Sequence, residues 1–341
     1  MKLDRLGWND YYRSLFSQYN TEKYIAGRVS VEHKNSYRVL TEYGELLAEV
    51  TGKFNYRAES RVDYPAVGDW VVLELHPGQN RGSIHAVLSR KSKFIRKMAG
   101  RKTDEQILAA NIDTIFIVSS LNSDFNLRRL ERYLTQVWDS GASPVIVLNK
   151  ADLCDDVEDK VRGVEEIAFA VPIHAVSCLD NTGLDQLNNY LGKGETIALI
   201  GSSGVGKSSI INILMGEELQ LTGDIREDGK GRHTTTHREL MILPSGAIII
   251  DTPGMRELQL WDEGDGLSGT FADIEELAVQ CKFNDCKHDT EPGCAVKNAI
   301  KSGSLNPKRL QSYRKMLREL KYLEMKKTEI EKYKWKTIYG K

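Results

Sequence analysis

The spacing of apolar positions changes character along the chain. From about 20 to 90 the apolar residues fall in short runs rich in β-branched and aromatic side chains, such as Tyr24–Val29 and Trp70–Leu75. Gly44, Gly52, Gly68 and Pro77-Gly78 punctuate them as turns. Such runs read as strands, and several in so short a span predict a small barrel, OB-like or SH3-like. From about 112 to 260, short apolar strands alternate with amphipathic helices. The expected strands are Asp113–Ser119, Pro144–Asn149, Pro172–Ser177, Thr196–Gly201 and Ala247–Asp251. Uninterrupted apolar runs followed by polar or glycine-rich residues predict a parallel sheet covered on both faces. Near the end, Leu310, Tyr313, Leu317, Leu320 and Leu323 recur at helical spacing.

Composition narrows the class. The 341 residues carry 47 Lys/Arg against 48 Asp/Glu, with 40% hydrophobic and 28% charged residues. That is ordinary globular composition and excludes global disorder. No apolar run approaches the ~18 residues needed to span a bilayer, so no membrane association is expected. The start, Met1-Lys2-Leu3-Asp4-Arg5, has no apolar segment of a secretory signal. Five clustered cysteines do not make a secreted disulfide scaffold. The expected location is the cytoplasm. Charge is uneven despite its balance. Arg90, Lys91, Lys93, Arg96, Lys97, Arg101 and Lys102 fall together without an acid, and residues 308–341 hold 12 Lys/Arg against 4 Asp/Glu. The first stretch reads equally as a phosphate-contact surface or as a solvated linker.

Gly201-Ser202-Ser203-Gly204-Val205-Gly206-Lys207-Ser208, followed by Ser209, fits the phosphate-loop pattern between a strand and a helix. Glycines let the backbone N–H groups turn toward phosphate oxygens, and the helix N-terminus adds partial positive charge. Lys207 would neutralise the β- and γ-phosphates, and Ser208 would ligate Mg²⁺. Asp251-Thr252-Pro253-Gly254 follows an apolar run about 50 residues on. Asp251 at a strand end suits Mg²⁺, and Gly254 lets its N–H approach the γ-phosphate. Between them lies Gly231-Arg232-His233-Thr234-Thr235-Thr236-His237, whose threonines, Thr235 by position, would complete the Mg²⁺ shell.

Asn149-Lys150-Ala151-Asp152 stands at the end of an expected strand. A carboxylate there accepts two hydrogen bonds from guanine, which adenine does not offer, so GTP is selected over ATP. Ser177 ends the next expected strand, where a loop facing the guanine oxygen would be. This base reader precedes the phosphate loop, the reverse of ordinary GTPases. All these loops lie at the C-terminal ends of parallel strands, so a circular permutation preserves the pocket. Cys281, Cys286, His288 and Cys294 form C-x4-C-x-H-x5-C. Three thiolates and an imidazole suit one closed, structural Zn²⁺ site. Cys154, Cys178 and His174 read as packed rather than functional.

A permuted GTPase with an N-terminal small barrel and a C-terminal zinc module resembles the ribosome small-subunit-dependent GTPase family (RsgA, also called YjeQ). The resemblance covers nearly the whole chain. It rests on Tyr64-Pro65-Ala66-Val67-Gly68-Asp69-Trp70, the permuted motifs, Gly231–Thr236 and the zinc spacing. It implies an OB-fold barrel, weak GTP hydrolysis stimulated by the small ribosomal subunit, and a role in late subunit maturation. One departure is Cys178 after Ser177, where many GTPases carry alanine, which raises the prospect of crowding beside the base. The expected fold is multidomain: an OB-like β-barrel domain with an N-terminal extension (1–95), a circularly permuted α/β P-loop GTPase domain (96–265) and a zinc-binding helical module with a basic C-terminal helix (266–341).

The expected reaction is GTP plus water to GDP plus phosphate, with Lys207, Mg²⁺, Thr235 and backbone donors stabilising charge. Many GTPases orient the water with a glutamine directly after D-x-x-G. Here that residue is Met255, so unassisted turnover is expected to be slow, and His233 reads equally as the residue that orients the water or as one that shapes the loop. A monomer binding the small subunit and its rRNA through the barrel, the basic 90–102 stretch and the C-terminal helix is expected. The alternative is a GTP-dependent RNA- or ribosome-binding checkpoint module in which hydrolysis is incidental. An ATP-using phosphate-loop protein is the third reading, and Asp152 argues against it.

Overall fold

A computed structural model describes residues 2–34, 36–97, 105–216, 238–251 and 265–339. The N-terminal part begins with helix α1 (Asp10–Phe16), capped by the Asn9 side chain. Strands β1 (Ile25–Glu32), β2 (Tyr37–Thr41) and β3 (Gly44–Val50), helix α2 (Gly52–Arg57), and strands β4 (Trp70–Leu75) and β5 (Arg81–Val87) follow. The strands close in the order β1-β2-β3-β5-β4-β1, with β3–β5 parallel and the other pairs antiparallel. That closure is the OB arrangement and settles the choice the strand pattern left open. Gly52, expected in a turn, instead opens α2, because Thr51 Oγ1 accepts the Phe54 N–H at 3.1 Å and caps a helix there. Val29, Val39, Val71, Leu73 and Ile84 fill the barrel.

The Tyr64–Trp70 motif is a joint. Asp69 is fully buried and accepts both Nε and Nη2 of Arg90, at 2.8 and 2.6 Å, besides the Ala66 N–H at 2.8 Å. Burial raises the Asp69 carboxyl pKa against the pull of Arg90. Arg90 also bonds the Val62 and Tyr64 carbonyls. It is therefore structural, which corrects its assignment to a phosphate-contact surface. Lys91 lies over the rings of Tyr11 and Tyr12, and residues 98–104 of that stretch lie outside the described residues. Gly68 has φ +92°, and a Cβ there would stand 2.1 Å from the Ala110 carbonyl oxygen. Arg28, fully buried, donates to the carbonyls of Leu6, Gly68 and Asn111. It thereby ties the N-terminal segment, the barrel and the chain after residue 110 together.

Strands β6 (Lys93–Lys97) and β7 (Glu105–Ala110) form a separate antiparallel pair. Then come β8 (Thr114–Ser120), α3 (Leu127–Ser140), β9 (Ser143–Asn149), α4 (Val157–Glu165), β10 (Ile173–Ala175), β11 (Thr196–Ile200), α5 (Lys207–Leu214), β12 (Glu239–Ile242) and β13 (Ile248–Asp251). They pair in the order β10-β9-β8-β11-β13-β12, parallel except for β12. The expected strand to Ser177 stops at Ala175, because Ser177 turns away to pair with Thr182. One face of this sheet packs against α3 and α4 through Leu130, Leu134, Val137 and Val164. The other packs against α5 and the 184–190 segment through Ile210, Leu184 and Leu187. Burial on both faces explains the uninterrupted apolar runs. Strand β1 divides one of its edges: residues 25–28 pair with β4, and beyond an irregularity Val31 pairs with Glu239 of β12. Barrel and parallel sheet are thus one hydrogen-bonded surface.

Helices α6 (Asp265–Thr270), α7 (Ala272–Ala278), α8 (Ala295–Ser302) and α9 (Pro307–Tyr339) complete the described chain. Leu310, Tyr313, Met316 and Leu320 of α9 bury against Phe271, Ile274 and Val296. This small core docks on α3 through a buried polar cluster. Glu131, fully buried, accepts Arg309 at 3.1 Å and Ser312 Oγ at 2.6 Å, and also pairs with Arg128. Arg309 in turn grips Asp273 at 2.6 and 2.8 Å and the Thr270 carbonyl at 2.7 Å.

Candidate nucleotide site and metal centre

Among the described residues, Asn149, the Gly201 loop and Asp251 stand at the C-terminal edge of the parallel sheet. Ser120 of β8 pairs with Asn149 of β9, and Ile117 pairs with Ile200, the last residue before the Gly201 loop. Asp251 lies one residue past the Ala198–Ile250 rung of β11 and β13. Asn149 is the tie between these loops. Its Nδ2 donates to the Val205 carbonyl at 2.9 Å, and its Oδ1 accepts the Cys178 N–H at 3.3 Å. The Asn149–Asp152, Gly201–Ser208 and Ser177 loops are therefore held by one buried side chain, 1% exposed.

The phosphate loop takes its shape from its glycines. Gly201, Gly204 and Gly206 have φ of +146°, +79° and +100°, conformations that other residues rarely adopt. A Cβ at Gly201 would stand 2.2 Å from the Val118 carbonyl oxygen, and one at Gly206 only 2.0 Å from Asn149 Nδ2. Between these glycines, Val205 is buried in the sheet core while Ser202 and Ser203 remain accessible. Gly206 precedes α5, so the first N–H groups of that helix face the loop. Lys207 Nζ donates to the carbonyls of Gly201 and Ser202 at 2.7 and 2.6 Å, so its charge is folded over the loop. Ser208 is exposed in the first turn of α5, and Ser209 is half-buried beside it.

On the base side, Lys150 has φ +62°, the sharp turn that carries the chain from β9 to Asp152. Ser177 Oγ donates to Asp152 Oδ1 at 2.6 Å and accepts the Asp180 N–H at 3.1 Å, so the carboxylate's orientation is set by its neighbour. The Cys178 side chain packs in the core with Val176 and Leu184, where burial pushes its thiol up to about 11. Sequence reasoning missed Gly183, whose φ is +71° and whose Cβ would stand 2.4 Å from the Ala175 carbonyl oxygen. It shapes the Ser177 loop, and the turn signal Asn181-Thr182-Gly183 was the available clue. His174 has both ring nitrogens bonded, to Gln186 and Tyr190, as expected of a packed residue. His233, Thr234–Thr236, Gly254 and Met255 lie outside the described residues.

Ser208, in the first turn of α5, and Asp251, at the end of β13, offer hard oxygen donors, the chemistry Mg²⁺ takes. At the second centre, the ligand atoms of Cys281, Cys286, His288 and Cys294 all lie within 4.8 Å of one another. Cys281 Sγ stands 3.8 Å from Cys294 Sγ and 3.6 Å from His288 Nδ1, which is 3.5 Å from Cys294 Sγ. Ligands ~2.3 and ~2.0 Å from one tetrahedral Zn²⁺ stand ~3.8 Å apart as sulfur pairs and ~3.5 Å apart as sulfur and nitrogen, so the set fits that ion. Burial raises the Cys281 thiol pKa, but N–H bonds from Ala295 and Val296 outweigh it and leave the thiol below its ordinary value. Burial and the Arg314 charge lower the His288 pKa, which favours the neutral ligand form. Cys294 caps α8, accepting the Lys297 N–H at 3.4 Å.

Comparison with known proteins agrees with this geometry. The family model described as RsgA GTPase matches residues 87–261. A Lactiplantibacillus plantarum protein named small ribosomal subunit biogenesis GTPase RsgA 2 is 51% identical over 93% of this chain and 89% of its own. The Opitutus terrae protein named small ribosomal subunit biogenesis GTPase RsgA is 44% identical over 99% of this chain and 96% of its own. Among solved structures, YjeQ from Thermotoga maritima superposes with a TM-score of 0.65 at 29% identity, covering 87% of this chain and 98% of that one. YloQ, described as a circularly permuted GTPase, gives 0.66 at 26% identity, covering 89% and 97%. With the Asn149–Asp152 loop written upstream of the Gly201–Ser208 loop yet bonded to it, and with identity to these relatives over nearly its whole length, this chain is a GTP-hydrolysing enzyme of the RsgA GTPase family.

Proposed function

We propose that this GTPase acts on the small ribosomal subunit late in its maturation, binding rRNA and hydrolysing GTP when the subunit is in place. The observation that carries the reading is the Asn149–Val205 bond at 2.9 Å, which joins the base reader to the phosphate loop, together with relatives named for small-subunit biogenesis. In this reading Asp152 grips the guanine edge, oriented by Ser177, while Asn149 and Lys150 hold the loop. Gly201–Gly206 present N–H groups to the phosphates, Lys207 exchanges its loop carbonyls for β- and γ-phosphate oxygens, and Ser209 supports the helix start. Mg²⁺ held by Ser208, Asp251 and Thr235 would supply further neutralisation of phosphate charge. Gly254 donates to the γ-phosphate, and His233 orients the attacking water. Zn²⁺ on Cys281, Cys286, His288 and Cys294 would fold the loop that joins α7 to α8. The three units divide near 95 and 265, and the protein works in the cytoplasm as a monomer.

The deciding experiment is GTP turnover titrated with isolated small subunits. Turnover that rises and saturates is expected, and a flat titration would overturn subunit-dependent hydrolysis. His233→Ala should abolish most of the stimulation, and an unchanged stimulated kcat rejects its role. Met255, where many GTPases place a water-orienting glutamine, favours a second reading in which GTP marks placement on the subunit and hydrolysis is incidental. Subunits that leave single-turnover hydrolysis unchanged but bind more tightly with a non-hydrolysable GTP analogue than with GDP would support that reading.

A further inference from the structure

The contact between α3 and α9 leaves a groove of about 690 Å³ whose walls carry Arg128, Arg129, Arg132, Lys308 and Lys315 and no acidic residue. We propose that this groove is a binding site for the sugar-phosphate backbone of RNA, built jointly by the GTPase domain and the zinc module. The inference deepens the proposed small-subunit role and rests on it. The cations form two rows. Arg128 and Arg132 are one turn apart on α3, and Lys308, Gln311 and Lys315 share one face of α9 at helical spacing. Seven helical residues rise ~10.5 Å, about three steps of a stacked strand at ~3.4 Å each.

The arginines are held in place by acids outside the groove walls. Arg128 pairs with buried Glu131, Arg129 with Asp124 at 2.8 Å, and Arg132 with Glu319 at 2.7 and 3.2 Å. Each pairing leaves further N–H donors on a guanidinium that has five. Such pre-oriented forks suit phosphate oxygens. Lys308 and Lys315 are exposed and add mobile point charges. The positive charge also continues along the chain beyond the groove, since residues 317–341 hold 8 Lys/Arg against 4 Asp/Glu. A long polyanion matches that extent better than a short acidic peptide. Because Ser312 in the groove also bonds Glu131, the two rows face each other only while the zinc module is docked.

The test is small-subunit binding by the full-length protein as a function of salt, comparing wild type with Lys308→Ala/Lys315→Ala. Each lost phosphate contact lowers the slope of log K against log salt by ~0.7–0.9. The double variant should therefore bind more weakly, with a slope reduced by ~1.4–1.8, while GTP turnover without subunits stays unchanged. An unchanged affinity and slope, with wild type binding normally, overturns the groove and leaves the small-subunit role intact. A wild type that does not bind subunits overturns both. A photo-reactive residue at the exposed midpoint of the α9 row, Gln311→p-benzoylphenylalanine, identifies the occupant: cross-links to rRNA support the proposal, and cross-links to a ribosomal protein overturn it.

Discussion

Two glycines two residues apart separate backbone strain from collision. Gly204 and Gly206 both have positive φ, +79° and +100°, but a Cβ on Gly204 meets nothing within 4 Å whereas one on Gly206 meets Asn149 Nδ2 at 2.0 Å. For Gly204→Ala only the left-handed backbone is penalised, at about 1–2 kcal/mol. The variant loop relaxes out of this shape and nucleotide binding has to restore it, so the strain is read as lost affinity, roughly 5- to 30-fold. Gly206→Ala carries the same strain and also displaces Asn149. Losing the bond to Val205 leaves a buried amide unpaired, a further cost of about 1–3 kcal/mol. The total of about 2–5 kcal/mol corresponds to roughly 30- to 4,000-fold weaker binding. Titration of a fluorescent GDP analogue measures both variants, with denaturant midpoints to confirm folding. Equal losses would mean that Asn149 does not couple the two loops and that the argument from its position is wrong.

Asp152→Asn should exchange guanine for xanthine preference, weakening GDP and strengthening xanthosine diphosphate at least ten-fold each, and unaltered preference removes Asp152 from the base contact. Glu131→Ala leaves Arg309 without its buried acid, although the partly exposed Asp273 remains. About 3 kcal/mol is expected, the low end for a broken buried pair, and a denaturation shift below about 0.5 kcal/mol would show that the cluster does not hold the C-terminal helices in place. Metal chelation should expose the core around Phe271 and Cys294 while GDP binding persists, and joint loss of both sinks the separation of the two centres. Backbone N–H bonds, its own and those of Lys287 and Asp289, lower Glu291 from 4.5 to about 2. A lowered carboxyl stabilises the fold fully above its ordinary value and loses that effect as pH falls toward about 2. Hydrogen exchange of the Lys287 and Asp289 amides should therefore be faster in Glu291→Gln at pH 7, with the difference closing in acid.

The parallel strands were legible because burial on two faces leaves no polar alternation, as in Ile115–Val118 and Val145–Leu148. The nucleotide loops were legible because their residue types are fixed by chemistry at short spacing, and the Cys/His cluster for the same reason. What escaped reading depends on partners distant in sequence. Glu131 sits on an amphipathic helix like any solvated acid, yet its partner Arg309 is 178 residues away. Arg90 belongs to a run of cations, yet Asp69 claims it. Strand β12 is only four residues long, Glu239–Ile242, too short for periodicity to mark it.

The single rung between Val31 and Glu239 has a consequence for how the molecule comes apart. A sheet border with open N–H and C=O groups invites pairing with any other chain, and here each unit seals the other's border. Cutting the barrel away would bare the β12 margin of the GTPase unit, so a truncated enzyme would be prone to self-association even with its pocket intact. Arg238 and Glu32, 3.4 Å apart beside that rung, act as a charged seam between the two units.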